Sequence, residues 1–166
     1  MLDQYGRGIN YLRISVSDKC NLRCKYCMPR KGVPKLNHEN ILRNEEIVEI
    51  VKEGVSLGID KVRITGGEPL IRRGILDLIW DIGEIEGIHD FAMTTNGLLI
   101  KKYGRELKDA GLKRLNISID SLKEDKYKQI TRGGNLRDVL EGIDYGKEIG
   151  FTPLKINVVL IGGFND

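Results

Sequence analysis

Three segments of the chain repeat one pattern, in which a glycine precedes an alternation of apolar and polar residues. They are Gly58-Ile-Asp-Lys-Val-Arg-Ile-Thr, Gly111-Leu-Lys-Arg-Leu-Asn-Ile-Ser and Gly150-Phe-Thr-Pro-Leu-Lys-Ile-Asn. A glycine that ends a helix, followed at once by an alternating run, is typical of the junction between helix and strand in a βα unit. The repetition therefore predicts the α/β class, with a parallel sheet and helices between its strands.

Five strands can be placed on this pattern, with helices between them. The predicted strands are Leu12–Val16, Val62–Thr65, Phe91–Thr95, Arg114–Ile119 and Leu154–Leu160. If these strands curl into a barrel with right-handed crossovers, a complete barrel needs more than five of them. We therefore expect residues 1–166 to form one domain, a parallel βα-repeat partial barrel truncated after about five strands.

The first predicted helix illustrates how its ends and its buried side are read from the sequence. Asn44 is expected to cap it and Gly58 to stop it. Its apolar residues recur at helical spacing and predict one buried stripe. The stripe consists of Ile47, Val48, Ile50, Val51 and Val55.

The predicted strands each have one polar face, which is unusual for a parallel sheet covered on both sides. Strand alternation gives the polar set as Arg13, Arg63, Thr65, Thr94, Asn116, Ser118, Lys155 and Asn157. Buried cations need partners, so a barrel lumen lined by this set should hold an anionic ligand, carboxylates or water. The alternative is an open sheet whose polar face meets solvent.

The charge of the chain is unevenly distributed. The formal net charge is +3 over 166 residues, yet residues 1–35 hold eight basic residues against Asp3 and Asp18. This local positive charge favours an anionic ligand or an acidic partner, although a solvated basic loop has the same composition. No long apolar run or signal peptide is present in the sequence, so we expect a cytoplasmic protein.

All three cysteines lie in one short segment, Cys20-Asn-Leu-Arg-Cys24-Lys-Tyr-Cys27, directly after the first predicted strand. A disulfide framework would need an even number of cysteines and wider spacing. Three thiolates from one loop suit a 4Fe-4S cluster with one iron left open, whereas structural zinc normally takes four protein ligands. His38 or His89 could complete a zinc site, but neither has motif spacing.

This C-x3-C-x2-C loop, with Tyr26 before the last cysteine, resembles that of the radical SAM superfamily. Gly66-Gly67-Glu68-Pro69 after the second strand is similar to the motif that receives the amino group of S-adenosyl-L-methionine (SAM) in that superfamily. The resemblance implies a 4Fe-4S cluster on Cys20, Cys24 and Cys27 and the release of a 5′-deoxyadenosyl radical from SAM. No side-chain acid or base is identified for the reaction.

Within the superfamily the chain resembles a family of cyclases that act on GTP in molybdenum cofactor biosynthesis. The similar segments include Tyr11-Leu-Arg-Ile-Ser-Val-Ser-Asp-Lys-Cys20, Arg63-Ile-Thr-Gly-Gly-Glu-Pro-Leu70, Thr94-Thr-Asn-Gly97, Asn116-Ile-Ser-Ile-Asp-Ser-Leu122 and Lys155-Ile-Asn-Val-Val159. The resemblance implies that Tyr26, Gly67 and Ser118 contact SAM. It also implies that Arg13, Arg63, Thr94 and Lys155 contact GTP; strand alternation independently places these four on the polar face.

The chain departs from the family pattern in one respect, because the family has a C-terminal region with a second cysteine triad that this sequence lacks. The resemblance implies further partners: an electron donor, the next enzyme of molybdopterin synthesis and a second subunit in a homodimer. Two other functions remain open. One is a radical SAM enzyme acting on a peptide or a tetrapyrrole precursor, and the other is a non-catalytic iron-sulfur carrier or metal-binding module.

Overall fold

A computed structural model describes residues 2–34 and 40–166 of the chain. The strands are β1 (Tyr11–Ser15), β2 (Lys61–Thr65), β3 (Asp90–Thr95), β4 (Arg114–Ser118) and β5 (Lys155–Asn157). The helices are α1 (Asn44–Ser56), α2 (Ile75–Gly83), α3 (Ile100–Asp109), α4 (Glu124–Thr131) and α5 (Leu136–Glu148), and a short 3-10 turn covers Pro69–Ile71. The predicted α/β class is confirmed.

The strands form one parallel sheet in the order β1-β2-β3-β4-β5. Each strand pairs with the next strand along the chain, and the helices return the chain from one strand to the next. No pairing joins β1 to β5 within the described ranges, so these strands are the two edges of an open sheet. This arrangement is that of a partial barrel, as the sequence predicts.

The hydrophobic core lies between the sheet and its helices. Val62 and Ile64 of β2 and Leu115 and Ile117 of β4 are completely buried. They pack in one cluster with apolar side chains of α1, α2, α3 and α5. Burying one such side chain contributes about 1.5–3 kcal/mol, so this face of the sheet fixes the fold and leaves the opposite face available for polar groups.

The three repeated glycines have the same backbone conformation. Gly58, Gly111 and Gly150 have φ of 94°, 89° and 86°, which is the left-handed region where residues with a Cβ are strained. Each follows the end of α1, α3 or α5 and comes shortly before a strand. The repeat seen in the sequence is therefore a repeat of structure, and Gly58 ends α1 as predicted.

Two expectations for α1 are wrong. Asn44 is its first residue rather than its cap, because the side chain of Asn44 accepts hydrogen bonds from Arg72 and donates one to the Gly74 carbonyl at 2.8 Å. At the N-cap, the backbone N–H of Arg43 donates to Glu46 Oε2. Ile50 is 45% exposed rather than buried. It lies in an apolar surface groove with Tyr11 and Leu57.

The last strand is shorter than predicted, since β5 ends at Asn157 rather than at Leu160. The backbone N–H of Val159 donates to Asp120 Oδ1 at 2.9 Å, so a side chain has taken the place of a strand partner. Ile156 has the predicted orientation away from the polar face but is 45% exposed, because within the described residues no helix follows β5 to cover it. β4 likewise ends at Ser118, one residue early.

None of the helices within the described ranges is long and apolar enough to cross a membrane.

Candidate active site

The polar face of the sheet brings the predicted substrate-binding residues into two rows. Arg13 of β1 is the direct cross-strand neighbour of Arg63 of β2. One step further towards the carboxyl ends of the strands, Thr94 of β3, Asn116 of β4 and Lys155 of β5 are neighbours in register. Two arginines side by side repel one another, so this arrangement favours an anion between or above them.

Two buried polar atoms on this face, Arg63 Nε and Asn116 Oδ1, have no hydrogen-bond partner among the described residues. The Arg63 guanidinium lies 5.3 Å from the ring centre of Tyr11, which is a cation-π contact and leaves its donors free. A buried donor or acceptor without a partner costs about 1–3 kcal/mol. Asp18, Asp60 and Tyr127 also have such atoms, and in a folded protein water, an ion or a ligand can complete them.

The polar face also contains an ion pair that the sequence analysis missed. Arg114 of β4 forms two hydrogen bonds with the carboxylate of Asp90 of β3. The guanidinium holds the pKa of Asp90 below its ordinary value. Strand alternation could have identified both residues, because Asp90 precedes Ala92 and Thr94 by even steps and Arg114 precedes Asn116 in the same way.

The cysteine loop follows β1 and is fixed from outside by α4. The backbone N–H groups of Arg23 and Lys25 donate to the carbonyls of Thr131 and Ile130, at 3.1 and 2.9 Å. Cys20 Sγ accepts a hydrogen bond from the Leu22 backbone N–H at 3.3 Å, and the Asn96 amide lies 3.9 Å from the same sulfur. Hydrogen bonds of this kind stabilise negative charge on sulfur, as a metal-bound thiolate requires.

The three thiols are close enough to influence one another electrostatically. Burial raises the pKa of Cys24 to about 12, and the nearby Cys27 and Cys20 add to this effect. Burial also raises the pKa of Cys20. Within residues 2–34 and 40–166, no three acidic, histidine or cysteine side chains converge closely enough to hold a metal ion. Three free cysteines on one loop match the thiolate ligands of an iron-sulfur cluster in their chemistry, but their sulfurs would have to move closer together to bind one cluster.

The glycine motif after β2 packs against the chain that leads into the cysteine loop. The Gly67 N–H donates to the Ser17 carbonyl and the Glu68 N–H donates to the Lys19 carbonyl, at 2.5 and 2.7 Å. A Cβ on Gly67 would collide with the backbone carbonyl of Lys19. Glycine is needed here for close backbone approach, and the neighbour that requires it is the cysteine loop itself.

Glu68 is a buried carboxylate with a complete set of partners. Its oxygens accept from Thr95 Oγ1 at 2.7 Å, the Asn96 N–H at 2.7 Å and the Leu70 N–H at 3.1 Å. Burial raises the pKa of Glu68, and the three hydrogen bonds act in the opposite direction. Glu68 therefore joins the carboxyl ends of β2 and β3, immediately beside the cysteine loop.

Asp120 links the cysteine loop to the far edge of the sheet. Tyr26, the residue before the last cysteine, donates its hydroxyl to Asp120 Oδ2 at 2.9 Å, and Asp120 Oδ1 accepts from Val159. This contact adds to burial in raising the pKa of Tyr26. The sequence analysis missed Asp120, although a buried acidic residue directly after a strand is a recognisable signal.

The structure places every predicted site residue on the polar face or at the carboxyl ends of the strands. Gly67 follows β2, Ser118 ends β4, and the cysteine loop follows β1. His89 instead precedes β3, at the opposite end of the sheet from the cysteines, which excludes it as a fourth ligand of a zinc site. His38 lies outside the described residues.

This chain belongs to the radical SAM superfamily, whose family model matches residues 14–166. The cofactors of this superfamily are a 4Fe-4S cluster and S-adenosyl-L-methionine. Among curated proteins, it is 63% identical over its whole length to "GTP 3′,8-cyclase" of Alkaliphilus metalliredigens, of which it covers 52%. It is 58% identical to the protein of the same name from Peptoclostridium acidaminophilum, covering 51%. The chain thus spans about half the length of the curated relatives it matches.

A similar fold occurs in the crystal structure of Streptococcus suis SuiB bound to S-adenosylmethionine. The TM-score is 0.70 at 21% sequence identity, and the match covers 90% of this chain and 32% of SuiB. At this identity the likeness concerns the fold alone. It supports the interpretation of the sheet as part of a radical SAM barrel.

Proposed function

We propose that this chain is the cluster- and SAM-binding core domain of a GTP 3′,8-cyclase. Such an enzyme converts GTP to (8S)-3′,8-cyclo-7,8-dihydroguanosine 5′-triphosphate in molybdopterin biosynthesis. The observation that carries the proposal is the cationic face of the sheet, where Arg13 adjoins Arg63 and a buried guanidinium nitrogen of Arg63 has no partner within the part of the chain that the structure describes. The names of relatives that are 58–63% identical point in the same direction.

The residues divide into three sets by their position along the strands. Cys20, Cys24 and Cys27 would hold the cluster on the loop after β1, and Tyr26, Gly67 and Ser118 would adjoin SAM at the carboxyl ends of the strands. Arg13, Arg63, Thr94 and Lys155 would bind GTP on the polar face. When bound, the cofactors would supply the radical chemistry that starts the reaction on the substrate.

The side chains of the chain itself bind and orient the reactants. An arginine guanidinium can bind two phosphate oxygens in a fork, and the neighbouring pair of Arg13 and Arg63 suits the closely spaced charges of a triphosphate. Lys155, on the opposite edge of the sheet, offers a point charge, and Thr94 between the edges offers a hydroxyl. Holding the substrate against the sheet fixes its distance from the radical source and excludes water.

The proposal extends to partners and location. Because the relatives are about twice as long, the remainder of such a protein would complete the GTP site. An electron donor would reduce the cluster, the next enzyme of molybdopterin synthesis would accept the product, and a homodimer would be the assembled form. A cytoplasmic location suits these substrates and a reduced cysteine loop.

Electron paramagnetic resonance tests the cofactor part of the proposal. The chain is reconstituted with iron and sulfide without oxygen and reduced with dithionite, and spectra are recorded with and without SAM. We expect a 4Fe-4S signal that changes shape when SAM is added, because SAM binds the open iron. A cluster whose spectrum ignores SAM would contradict the enzymatic proposal and favour an electron carrier.

The GTP part is tested separately by comparing Arg63→Ala with the unchanged chain. We expect the variant to bind GTP at least about tenfold more weakly, since a charge-assisted contact contributes about 1.5–3 kcal/mol. SAM cleavage should remain, because Arg63 lies on the polar face rather than on the cysteine loop. Equal GTP affinity in both proteins would contradict the assignment of this substrate.

A further inference from the structure

A strongly basic surface cleft lies between the cysteine loop and the end of α4, and none of its lining residues belongs to a strand. It has a volume of about 630 Å³. Five cationic residues line it, three from the loop and two from the end of α4, together with one amide and one glycine. These residues, called here the basic pocket, are Arg23, Lys25, Arg30, Lys128, Gln129, Arg132 and Gly133.

Three residues of the basic pocket come from the same segment of the chain as the candidate cluster ligands. Arg23 and Lys25 flank Cys24 directly, and Arg30 follows Cys27 by three residues. Arg132 donates to the carbonyls of Arg23 and Met28, at 2.9 and 2.8 Å, and so joins α4 to the loop. The basic pocket and the cysteines therefore share one loop.

The positive charge of the pocket is not neutralised within the described residues. No carboxylate lines it, and none of its five cations forms an ion pair with an Asp or Glu in residues 2–34 and 40–166. Lys25, Arg30, Lys128 and Arg132 are exposed. An uncompensated group of like charges destabilises the isolated protein and attracts an acidic partner at long range.

The geometry favours an acidic protein surface over a small phosphate. Arg23 directs its Nη1 donor to the Cys20 and Leu22 carbonyls, and Arg132 directs Nη1 to two other loop carbonyls. These two guanidiniums are therefore held by the backbone rather than presented as forks to a phosphate. The remaining cations are the exposed Lys25, Arg30 and Lys128, of which Lys25 also lies over the Phe164 ring at 6.0 Å. Their positive charge steers and orients an acidic partner.

We propose that the basic pocket docks an acidic one-electron carrier protein that reduces the cluster through the outer side of the cysteine loop. The inference rests on the proposed function, because it takes the three cysteines as cluster ligands. In the step itself the reduced carrier loses one electron and the oxidised cluster gains it. No bond is formed or broken.

Cross-linking tests the docking surface independently of any cluster chemistry. A plant-type [2Fe-2S] ferredoxin, an acidic carrier, is mixed with the chain, and a carbodiimide joins its carboxylates to lysines in contact with them. Peptide mapping should find Lys25 and Lys128 joined to the ferredoxin at yields at least about tenfold above Lys52 and Lys102, which are exposed on α1 and α3. Equal yields at all four lysines would overturn the proposal.

Charge reversal tests whether docking matters for reduction. The test compares rates of cluster reduction by ferredoxin at low salt in the reconstituted chain. The double variant Lys25→Glu/Lys128→Glu should be reduced about tenfold more slowly than the unchanged chain. The control Lys52→Glu/Lys102→Glu should be reduced at the same rate as the unchanged chain. Reduction by dithionite should be equal in all three, which separates lost docking from a lost cluster. A rate that is independent of salt would contradict the proposal. So would specific inhibition by millimolar phosphate at constant ionic strength, which would indicate a small-anion site.

Discussion

Two buried polar regions of this molecule, one around Glu68 and one on the polar face of the sheet, differ in whether their atoms have hydrogen-bond partners. Around Glu68, each carboxylate oxygen has protein partners in Thr95, Asn96 or Leu70. On the polar face, Arg63 Nε and Asn116 Oδ1 are also inaccessible to water, and no described residue is their hydrogen-bond partner. The fold thus satisfies one region by itself and leaves the other unsatisfied.

The difference separates groups that hold the scaffold from groups that await a ligand. A buried network in which every donor and acceptor is hydrogen-bonded stabilises the folded chain, and removing one member leaves its partners without hydrogen bonds. A buried polar group without a partner lowers the free energy of unfolding, and a ligand that forms the missing hydrogen bond binds more tightly for that reason. Substitutions in the first region should therefore change stability, and substitutions in the second should change binding.

The largest expected effect follows removal of the satisfied carboxylate. Glu68→Ala leaves the Thr95 hydroxyl and two backbone N–H groups without an acceptor, and we expect the free energy of unfolding to fall by about 3 kcal/mol. Urea denaturation measures it, with the exposed Glu53→Ala as the matched control. A loss no larger than that of the control would remove the distinction between the two regions.

Replacing Arg63 should leave stability nearly unchanged and weaken binding. Arg63→Met keeps the length of a half-buried side chain. It removes a desolvated guanidinium nitrogen and also the contact with Tyr11, so the free energy of unfolding should change by less than about 1 kcal/mol. GTP affinity should fall about thirtyfold, which corresponds to about 2 kcal/mol. Denaturation and equilibrium binding are measured on the same samples, with Arg105→Met on the exposed side of α3 as the control. A variant that lost stability but kept GTP binding would show that Arg63 stabilises the fold and does not bind GTP.

Asp120 belongs to the satisfied group but contacts the cysteine loop, so it should show both effects. Asp120→Ala removes the acceptor of the Tyr26 hydroxyl and of the Val159 N–H, and we expect a loss of about 2 kcal/mol in stability. Tyr26→Phe should cost only about 1 kcal/mol, because it removes one hydrogen bond. If Asp120 positions the loop, the SAM-induced change in the cluster spectrum should weaken in both variants. An unchanged spectrum would restrict Asp120 to a structural role.

The smallest effect concerns the ion pair between Asp90 and Arg114, and it depends on pH. The pKa of Asp90 is lowered from 3.8, so its contribution to stability is present above that value and is lost as the pH falls through the lower pKa of the folded state. Asp90→Asn should be about 1 kcal/mol less stable at pH 7, and the difference should vanish in acid. Thermal unfolding between pH 7 and pH 2 measures this, and a constant difference would exclude the ion pair as its cause.

The features that were predicted correctly from the sequence are those set by periodicity and spacing, namely the polar face of the strands and the ends of the helices. Alternation alone assigns Arg13, Arg63, Thr94 and Lys155 to one face, and the strand register confirms that face. The repeated glycines located the ends of three helices. Such features are local, because one residue and its neighbours decide them.

What the sequence did not predict depends on contacts between distant segments. The side chain of Asn44 has the usual chemistry of a helix cap, but Arg72, far along the chain, takes it as an acceptor. The end of β5 is decided by Asp120, and the packing of Gly67 is decided by Lys19. Rules of local propensity cannot predict these contacts, because they form only when the sheet brings distant segments together.

The sequential order of the strands also has a consequence for how the protein is made. Each strand pairs with the one synthesised just before it, so the sheet can grow from its first strand while the chain leaves the ribosome. The cysteine loop emerges early, but its backbone is held by Ile130 and Thr131, and its tyrosine by Asp120. The cysteines are therefore translated well before the residues that fix their loop, and iron delivery to a nascent chain would reach a loop that is still open.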